Sequence, residues 1–172
     1  MIYLNKPVNR KLVLLLFLCF ISSLAFSQGS NKKTSPFASN GFLEVGGAGG
    51  FLSLNYDRRF SNANNGFGGR IGIGIGEGQP THMFPDLVLT IPIAVNYLAG
   101  QGPHYFEIGA GVTIGTSEFG IINGKRQSLL FVPSLGYRYQ KPIKGFMLRV
   151  VASPLIASGV DFWAGVSFGR RF

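Results

Sequence analysis

Apolar residues alternate with smaller or polar ones through residues 87–97, whose sequence is LVLTIPIAVNY. Every second position, from Leu87 to Tyr97, holds a large apolar or aromatic side chain. The positions between them include Thr90, Pro92, Ala94 and Asn96. Because successive side chains of a β-strand point to opposite faces, the segment is predicted to be a strand with one apolar and one polar face.

Seven further runs have the same two-residue period, and segments rich in Gly, Asn, Pro or Asp separate them. The runs are 42–46, 51–60, 67–75, 105–114, 129–140, 146–155 and 162–172. The first two runs could also form one bent strand, but we interpret 47–50 as a turn between them. Proline lacks a backbone donor, so we expect a bulge or a local strand end at Pro92, Pro133 and Pro154.

The composition excludes several classes of protein. With 46% hydrophobic and 13% charged residues, the chain is too apolar to be disordered. A single cysteine rules out a disulfide-stapled scaffold. The length of 172 residues suits one domain. Basic residues outnumber acidic ones by 16 to 7, but the sequence carries no recognised nucleic-acid-binding motif, and we expect no such partner.

The N-terminus has the parts of a secretory signal peptide. Basic residues precede the apolar run 12–21, and the small-residue pattern Ala25-Phe26-Ser27 follows it. The run is shorter than the roughly 20 apolar residues that a spanning helix needs, although a short retained anchor is an alternative. We predict a signal peptide over 1–27 that is cleaved near Ser27/Gln28, a polar tail over 28–41 and a β-barrel over 42–172.

Two architectures share this strand pattern. A soluble sandwich or ligand-binding barrel turns its apolar face inward, whereas a membrane barrel turns it outward and places polar groups in its lumen. The polar faces here are mostly glycine and other small residues, which suit a narrow barrel interior better than a water-facing surface. The size also fits, since eight strands of about 10 residues leave enough chain for the tail and loops. We therefore predict a closed antiparallel transmembrane barrel, and even strand numbers in such barrels favour eight strands.

Charged residues on the polar faces should form a network in the lumen, because an unpaired buried ion is costly. We expect Glu107 to pair with Arg138 or Arg149, and Asp57 to pair with Arg59 or Arg70. The predicted lumen residues are Glu44, Asp57, Arg59, Arg70, Glu107, Arg138 and Arg149. Some of these charges could instead reach water at a rim.

Aromatic residues gather at the strand ends beside three short turns. If these turns lie on one side of a membrane, the aromatics form an interfacial girdle. The predicted girdle residues are Tyr56, Phe60, Phe67, Tyr97, Phe106, Tyr137, Tyr139, Phe146 and Phe168.

The signal peptide, the amphipathic strands and the terminal Phe172 together resemble the small outer-membrane β-barrel proteins of Gram-negative bacteria. The resemblance is strongest in the last strand, where Phe162, Val166, Phe168 and Phe172 share one face. In that family, such a strand is similar to the signal that the barrel-insertion machinery reads. Arg170 departs from the pattern, which usually has an apolar residue there. The resemblance implies an outer-membrane location, contact with outer-membrane lipid and with the insertion machinery, and a monomer.

The resemblance leaves the activity open. We expect a non-enzymatic barrel with a structural or surface-interaction role, without a metal or cofactor. A lipid-modifying outer-membrane enzyme is the alternative, and it would need His82, Ser117 and Asp86 to converge at the outer rim. His104 is predicted in a turn at the opposite end, so a site with two histidine ligands is not expected. A soluble secreted ligand-binding barrel is the second alternative. Eight strands leave an interior that side chains fill, so a pore is not expected.

Overall fold

The computed structural model describes residues 38–80, 85–122 and 125–172, with side chains described outside 79–86 and 120–126. Eight strands follow one another along the chain, with a short 3-10 turn, Gly47–Gly49, between the first two. They are β1 (Ser39–Gly46), β2 (Leu52–Arg59), β3 (Gly66–Pro80), β4 (Pro85–Gln101), β5 (His104–Ile122), β6 (Lys125–Gln140), β7 (Gly145–Ile156) and β8 (Val160–Arg171).

The sheet closes on itself as predicted. Each strand pairs antiparallel with the next, and β8 pairs with β1 through a register that includes Leu43 opposite Phe168. The two-strand interpretation of residues 42–60 is confirmed, because β1 and β2 are separate strands. β1 begins at Ser39, so the barrel starts before the predicted boundary at residue 42.

The apolar faces of the strands point outward. Ile71, Ile93, Ile108 and Leu135 lie on four different strands, and each is between 42% and 53% exposed. The alternative of a soluble barrel with these residues in its centre is therefore wrong. On β4 the outward apolar residues run from Leu87 to Tyr97. At about 3.3 Å per residue and a tilt of about 40°, that run spans about 25 Å, the height of the apolar band of a membrane barrel.

We expected a bulge or a local strand end at each proline, and the prolines lie at local breaks in pairing rather than at bulges. The β3–β4 ladder is interrupted at Pro92, and the β6–β7 ladder is interrupted at Pro133 and Pro154. Pro92 pairs in register with Thr113, and Pro154 pairs in register with Phe162. The β6–β7 register places Pro133 opposite Pro154, so two missing backbone donors fall at one point of one ladder. Register shifts occur elsewhere, near residue 77 in β3 and between residues 114 and 121 in β5.

Four strands are longer than the sequence predicts. β3 and β4 extend into the predicted connection 76–86, and β5 and β6 extend into the predicted connection 115–127. Their outer parts lack a clean two-residue alternation, which is why the pattern missed them. Residues 81–84 and 123–124 lie outside the described residues.

The barrel has two distinct ends. The terminal end carries residues 38 and 172 and the turns at 60–65, 102–103 and 141–144. The loop end carries the Gly47–Gly49 turn, the connection at 157–159 and the ends of β3, β4, β5 and β6 that lie away from the terminal end. Among the residues with described structure, no helix is long and apolar enough to cross a membrane.

Candidate functional site: the barrel interior

An unbroken chain of buried ion pairs crosses the lumen. Its members are at most 5% exposed. Arginines and carboxylates alternate along it, and each carboxylate lies between two arginines. The order of the chain is Arg59, Asp57, Arg138, Glu107, Arg149, Glu44 and Arg70. It therefore starts and ends on an arginine, with four cations for three anions.

Asp57 is the carboxylate next to Arg59, which is one end of the ion chain. Arg59 Nη2 donates to Asp57 Oδ2 at 2.8 Å. From the opposite wall, Arg138 Nη1 donates to Asp57 Oδ1 at 3.0 Å. Asn96 of β4 also donates to Asp57 Oδ2, at 2.7 Å, and it accepts a hydrogen bond from Arg59. These donors replace the water that the buried carboxylate has lost.

Glu107 lies in the middle of the chain. Arg138 Nε donates to its Oε2 at 2.8 Å, and Arg149 Nε donates to its Oε1 at 3.0 Å. Both sequence-predicted partners of Glu107 thus bind it at once. Because each oxygen has its own guanidinium donor, the carboxylate orientation is fixed in the low-dielectric interior.

Glu44 closes the chain on β1. Arg149 Nη1 donates to Glu44 Oε1 at 2.5 Å, and Arg70 Nη1 lies 3.3 Å from Glu44 Oε2. Ser167 of β8 also donates to Glu44 Oε1 at 3.5 Å. Of the two partners expected for Asp57, Arg59 binds it, whereas Arg70 binds Glu44 instead.

The network joins all eight strands. Its seven ions come from β1, β2, β3, β5, β6 and β7. Asn96 adds β4 and Ser167 adds β8. The sequence pattern placed Asn96 and Ser167 on polar faces but did not identify them as members of the network. The sequence also did not show that Asp57 of β2 reaches Arg138 of β6, because those strands are not neighbours.

The Gly47–Gly49 turn folds into the barrel on the loop-end side of this network. Thr113 Oγ1 donates to the Ala48 carbonyl at 2.7 Å, and Thr90 Oγ1 donates to the Gly49 carbonyl at 2.6 Å. A Cβ added at Gly49 would lie 2.3 Å from the Ser53 side chain, and one at Gly47 would lie 2.7 Å from Glu44 Oε1. Glycine is therefore needed for this close approach. The segment predicted as a turn therefore also fills part of the barrel interior, and we call Gly47–Gly49 the plug.

A cavity of about 190 Å³ lies between the plug and the loop end. We call it the loop-end cavity. Apolar side chains line most of it, and two carboxylate residues, Glu77 and Asp161, also line it. The apolar wall consists of Ala48, Phe119, Leu130, Leu155 and Trp163. No feature of the sequence pattern indicated this cavity, because its wall draws on strands far apart in the chain.

Two of the three residues of the enzymatic alternative have no described side chain, so their convergence with Ser117 stays a prediction. Ser117 is exposed on β5, whereas the side chains of His82 and Asp86 fall outside the described residues. His104 lies at the terminal end, where its Nδ1 is 2.6 Å from the Tyr137 hydroxyl. Across the side chains that the structure describes, no group of three His, Cys, Asp or Glu residues is placed to hold a metal ion.

Comparison with solved structures finds a similar fold in two bacterial proteins. The N-terminal β-barrel domain of OprF from Pseudomonas aeruginosa matches with a TM-score of 0.53 at 12% identity, over 79% of this chain and 96% of that one. Neisserial surface protein A matches with a TM-score of 0.50 at 13% identity, over 80% of this chain and 96% of that one. The fold is that of the small outer-membrane β-barrels. No protein-family model and no curated protein sequence matches the chain.

In this outer-membrane barrel fold, a group of exposed aromatic residues lies at the terminal end, while Phe51 and Phe162 are exposed at the loop end. The nine aromatic residues predicted as a girdle all lie toward the terminal end, and eight of them are exposed, while Tyr139 is half-buried. Phe67 and Tyr97 stack edge to face on neighbouring strands, with ring centroids 4.9 Å apart. The Tyr56 hydroxyl donates to Ser39 Oγ at 3.0 Å.

The last strand of the barrel presents its phenylalanines outward. Phe162, Val166 and Phe168 are exposed on β8, and Arg170 is exposed on the same face. The Phe172 amide donates to the Ser39 carbonyl at 3.0 Å, which fastens the end of the chain to the start of β1. A Cβ added at Gly41 would lie 3.3 Å from the Phe172 ring, so the ring lies against the backbone of β1.

Proposed function

We propose that this chain is an integral outer-membrane barrel with a closed interior, and that it acts as a structural or surface-interaction protein without catalysing a reaction. The observation that carries the proposal is the buried ion network, which fills the lumen from wall to wall. A plug lies directly above it, so no continuous water path is expected through the barrel.

The outward surface supports the membrane location. Isoleucine, leucine and valine form the middle of the outer face, and aromatic residues border it at the terminal end. Lipid cannot satisfy free backbone groups, and a closed barrel leaves none along its wall. We infer that the terminal end faces the periplasm, that residues 1–27 are removed near Ser27/Gln28, and that the barrel is a monomer.

Isolation of outer membranes followed by gel electrophoresis in detergent tests the location. A folded barrel of this kind should migrate differently before and after heating and should remain with the membrane fraction. A soluble protein with the same mobility in both samples would refute the proposal. N-terminal sequencing of the isolated protein should start at Gln28.

Planar-bilayer recording tests the closed interior. The purified barrel should give no steady conductance above that of a protein-free bilayer. Steady, long-lived channels from the unaltered protein would contradict the closed lumen while leaving the membrane location intact.

Mass spectrometry of lipid A tests the enzymatic alternative. Cells that produce the protein should contain the same lipid A species as cells that lack it. Loss or gain of one acyl chain in producing cells would establish a lipid-modifying activity and contradict the non-enzymatic role.

A further inference from the structure

The loop-end cavity is large enough for a ligand. Its volume of about 190 Å³ exceeds the roughly 150 Å³ of an apolar cavity that binds benzene. Leu130 and Leu155 are buried in its wall, and Trp163 packs against the same cluster. An aromatic ring or a short alkyl chain therefore fits its size and its chemistry.

The cavity opens beside one carboxylate. Asp161 lines it and is exposed, whereas Glu77 contributes to the wall from a strand position opposite the outward-facing Leu87, which places its carboxylate on the outer face. Asp161 pairs with Leu155 across β7 and β8, which places the carboxylate at the level of the apolar wall. One of its oxygens accepts the Phe162 amide at 2.8 Å, and this bond orients the side chain.

The Asp161 carboxylate favours a cation over a neutral or anionic group. An ammonium at the opening would gain its attraction while the apolar substituent displaced water from the wall. Trp163 adds an aromatic face, which attracts organic cations. Burial of a carboxylate-bearing ligand would instead be opposed by like charge.

We propose that the loop-end cavity binds a small organic cation, namely an ammonium that carries a phenyl or short alkyl group. The apolar group enters between Leu130 and Trp163, and the ammonium stays at the opening beside Asp161. This binding function goes beyond the closed-barrel role and does not require transport through the lumen.

Fluorescence of Trp163 tests the proposal directly, because it is the single tryptophan of the chain. The full-length protein, folded in detergent, is titrated with benzyltrimethylammonium, benzyl alcohol and benzoate. We expect a saturable change with the cation, a weaker one with the alcohol and none with benzoate. No saturable change with the cation, or equal responses to all three probes, would overturn the proposal.

Two matched variants assign the effect to the cavity. Asp161→Asn keeps the oxygen that accepts the Phe162 amide but removes the charge, and it should weaken cation binding by about fivefold while leaving benzyl alcohol unchanged. Glu118→Gln removes an exposed charge from a residue that is not part of the cavity lining, and it should change neither titration.

A third variant tests the apolar wall. Leu130→Phe fills part of the cavity and should weaken the binding of both the cation and the alcohol. Heat-dependent gel mobility is used to show that this variant forms a folded barrel. Unchanged cation affinity in folded Asp161→Asn or folded Leu130→Phe would show that the probe binds elsewhere, which again overturns the proposal.

Discussion

Arg149 and Glu44 meet inside the barrel at 2.5 Å between Nη1 and Oε1, although 105 positions separate them in the sequence. Arg149 belongs to β7 and Glu44 to β1, and β8 lies between these strands in the closed sheet. The contact therefore spans the seam at which the first and last strands of the chain pair. The pair stabilises closure as well as satisfying two buried charges.

Removal of the Glu44 charge should strongly destabilise the barrel. In Glu44→Gln, Arg149 and Arg70 both lose a carboxylate partner, and an uncompensated buried charge costs about 3–5 kcal/mol. Urea unfolding in detergent, followed by heat-dependent gel mobility, measures the change. Glu118→Gln alters an exposed glutamate and is the matched control. Its free energy of unfolding should stay within about 0.5 kcal/mol of that of the unaltered protein. Equal stability of the two variants would show that the network contributes nothing.

Loss of an arginine at an end of the ion chain should destabilise the barrel less than loss of an arginine in its middle. Arg138 binds Asp57 and Glu107, whereas Arg70 binds Glu44 alone, at 3.3 Å. Arg138→Met should therefore cost about 3–5 kcal/mol. Arg70→Met leaves equal numbers of cations and anions in the chain and leaves Glu44 paired with Arg149, so it should cost less than Arg138→Met. The same urea titration measures both, and the prediction fails if Arg70→Met is the more damaging variant.

The plug should not tolerate a side chain at residue 49. Gly49→Ala would place a methyl group 2.3 Å from Ser53, and overpacking of this kind costs about 1–3 kcal/mol. Gly69→Ala is the control, because its nearest neighbour is the exposed Phe60 ring, which can move away. Thermal unfolding in detergent should show a lower midpoint for Gly49→Ala alone. A similar loss in both variants would indicate a general glycine effect rather than a packed plug.

A charge on the outer apolar face should oppose membrane insertion. Ile93→Arg lies within the predicted membrane band, where arginine costs about 2–4 kcal/mol. Ile143→Arg lies in the turn at 141–144 and is 81% exposed, so it should cost about 1 kcal/mol or less. Folding from urea into lipid vesicles measures the difference. Equal folding yields would contradict contact between Ile93 and lipid.

The C-terminal residue should affect assembly in the membrane. The Phe172 ring lies against Gly41, and its loss removes an aromatic side chain from the seam between β1 and β8. Phe172→Ala should reduce the amount of heat-modifiable barrel in isolated outer membranes. Phe60→Ala removes an exposed aromatic from the same end and should leave the amount unchanged. An equal loss in both variants would contradict a specific role for Phe172.

The sequence revealed the faces of the strands but not their partners across the lumen. Alternation along 87–97 was enough to orient Ile93 outward and Asn96 inward, because side-chain direction has a fixed period. The meeting of Asp57 with Arg138 depends on strand tilt and on the closure of the sheet. Local patterns contain neither quantity.

The sequence did not predict the plug or the loop-end extensions of β3 to β6, for a different reason. Glycines at 46–50 permit several turns, and only the nearby Ser53, Thr90 and Thr113 select the inward one. Beyond Ile75 and Ile114 the two-residue alternation ends and register shifts appear. A prediction from alternation therefore ends these strands too early.

The ion network has a consequence for the way the barrel comes apart. Detachment of any strand that supplies an ion would leave the partner ions of that residue unpaired inside the barrel, so partial peeling of the sheet is unfavourable. Unfolding should therefore be a single cooperative transition, in which loss of the β1–β8 seam and loss of the most distant hairpin coincide.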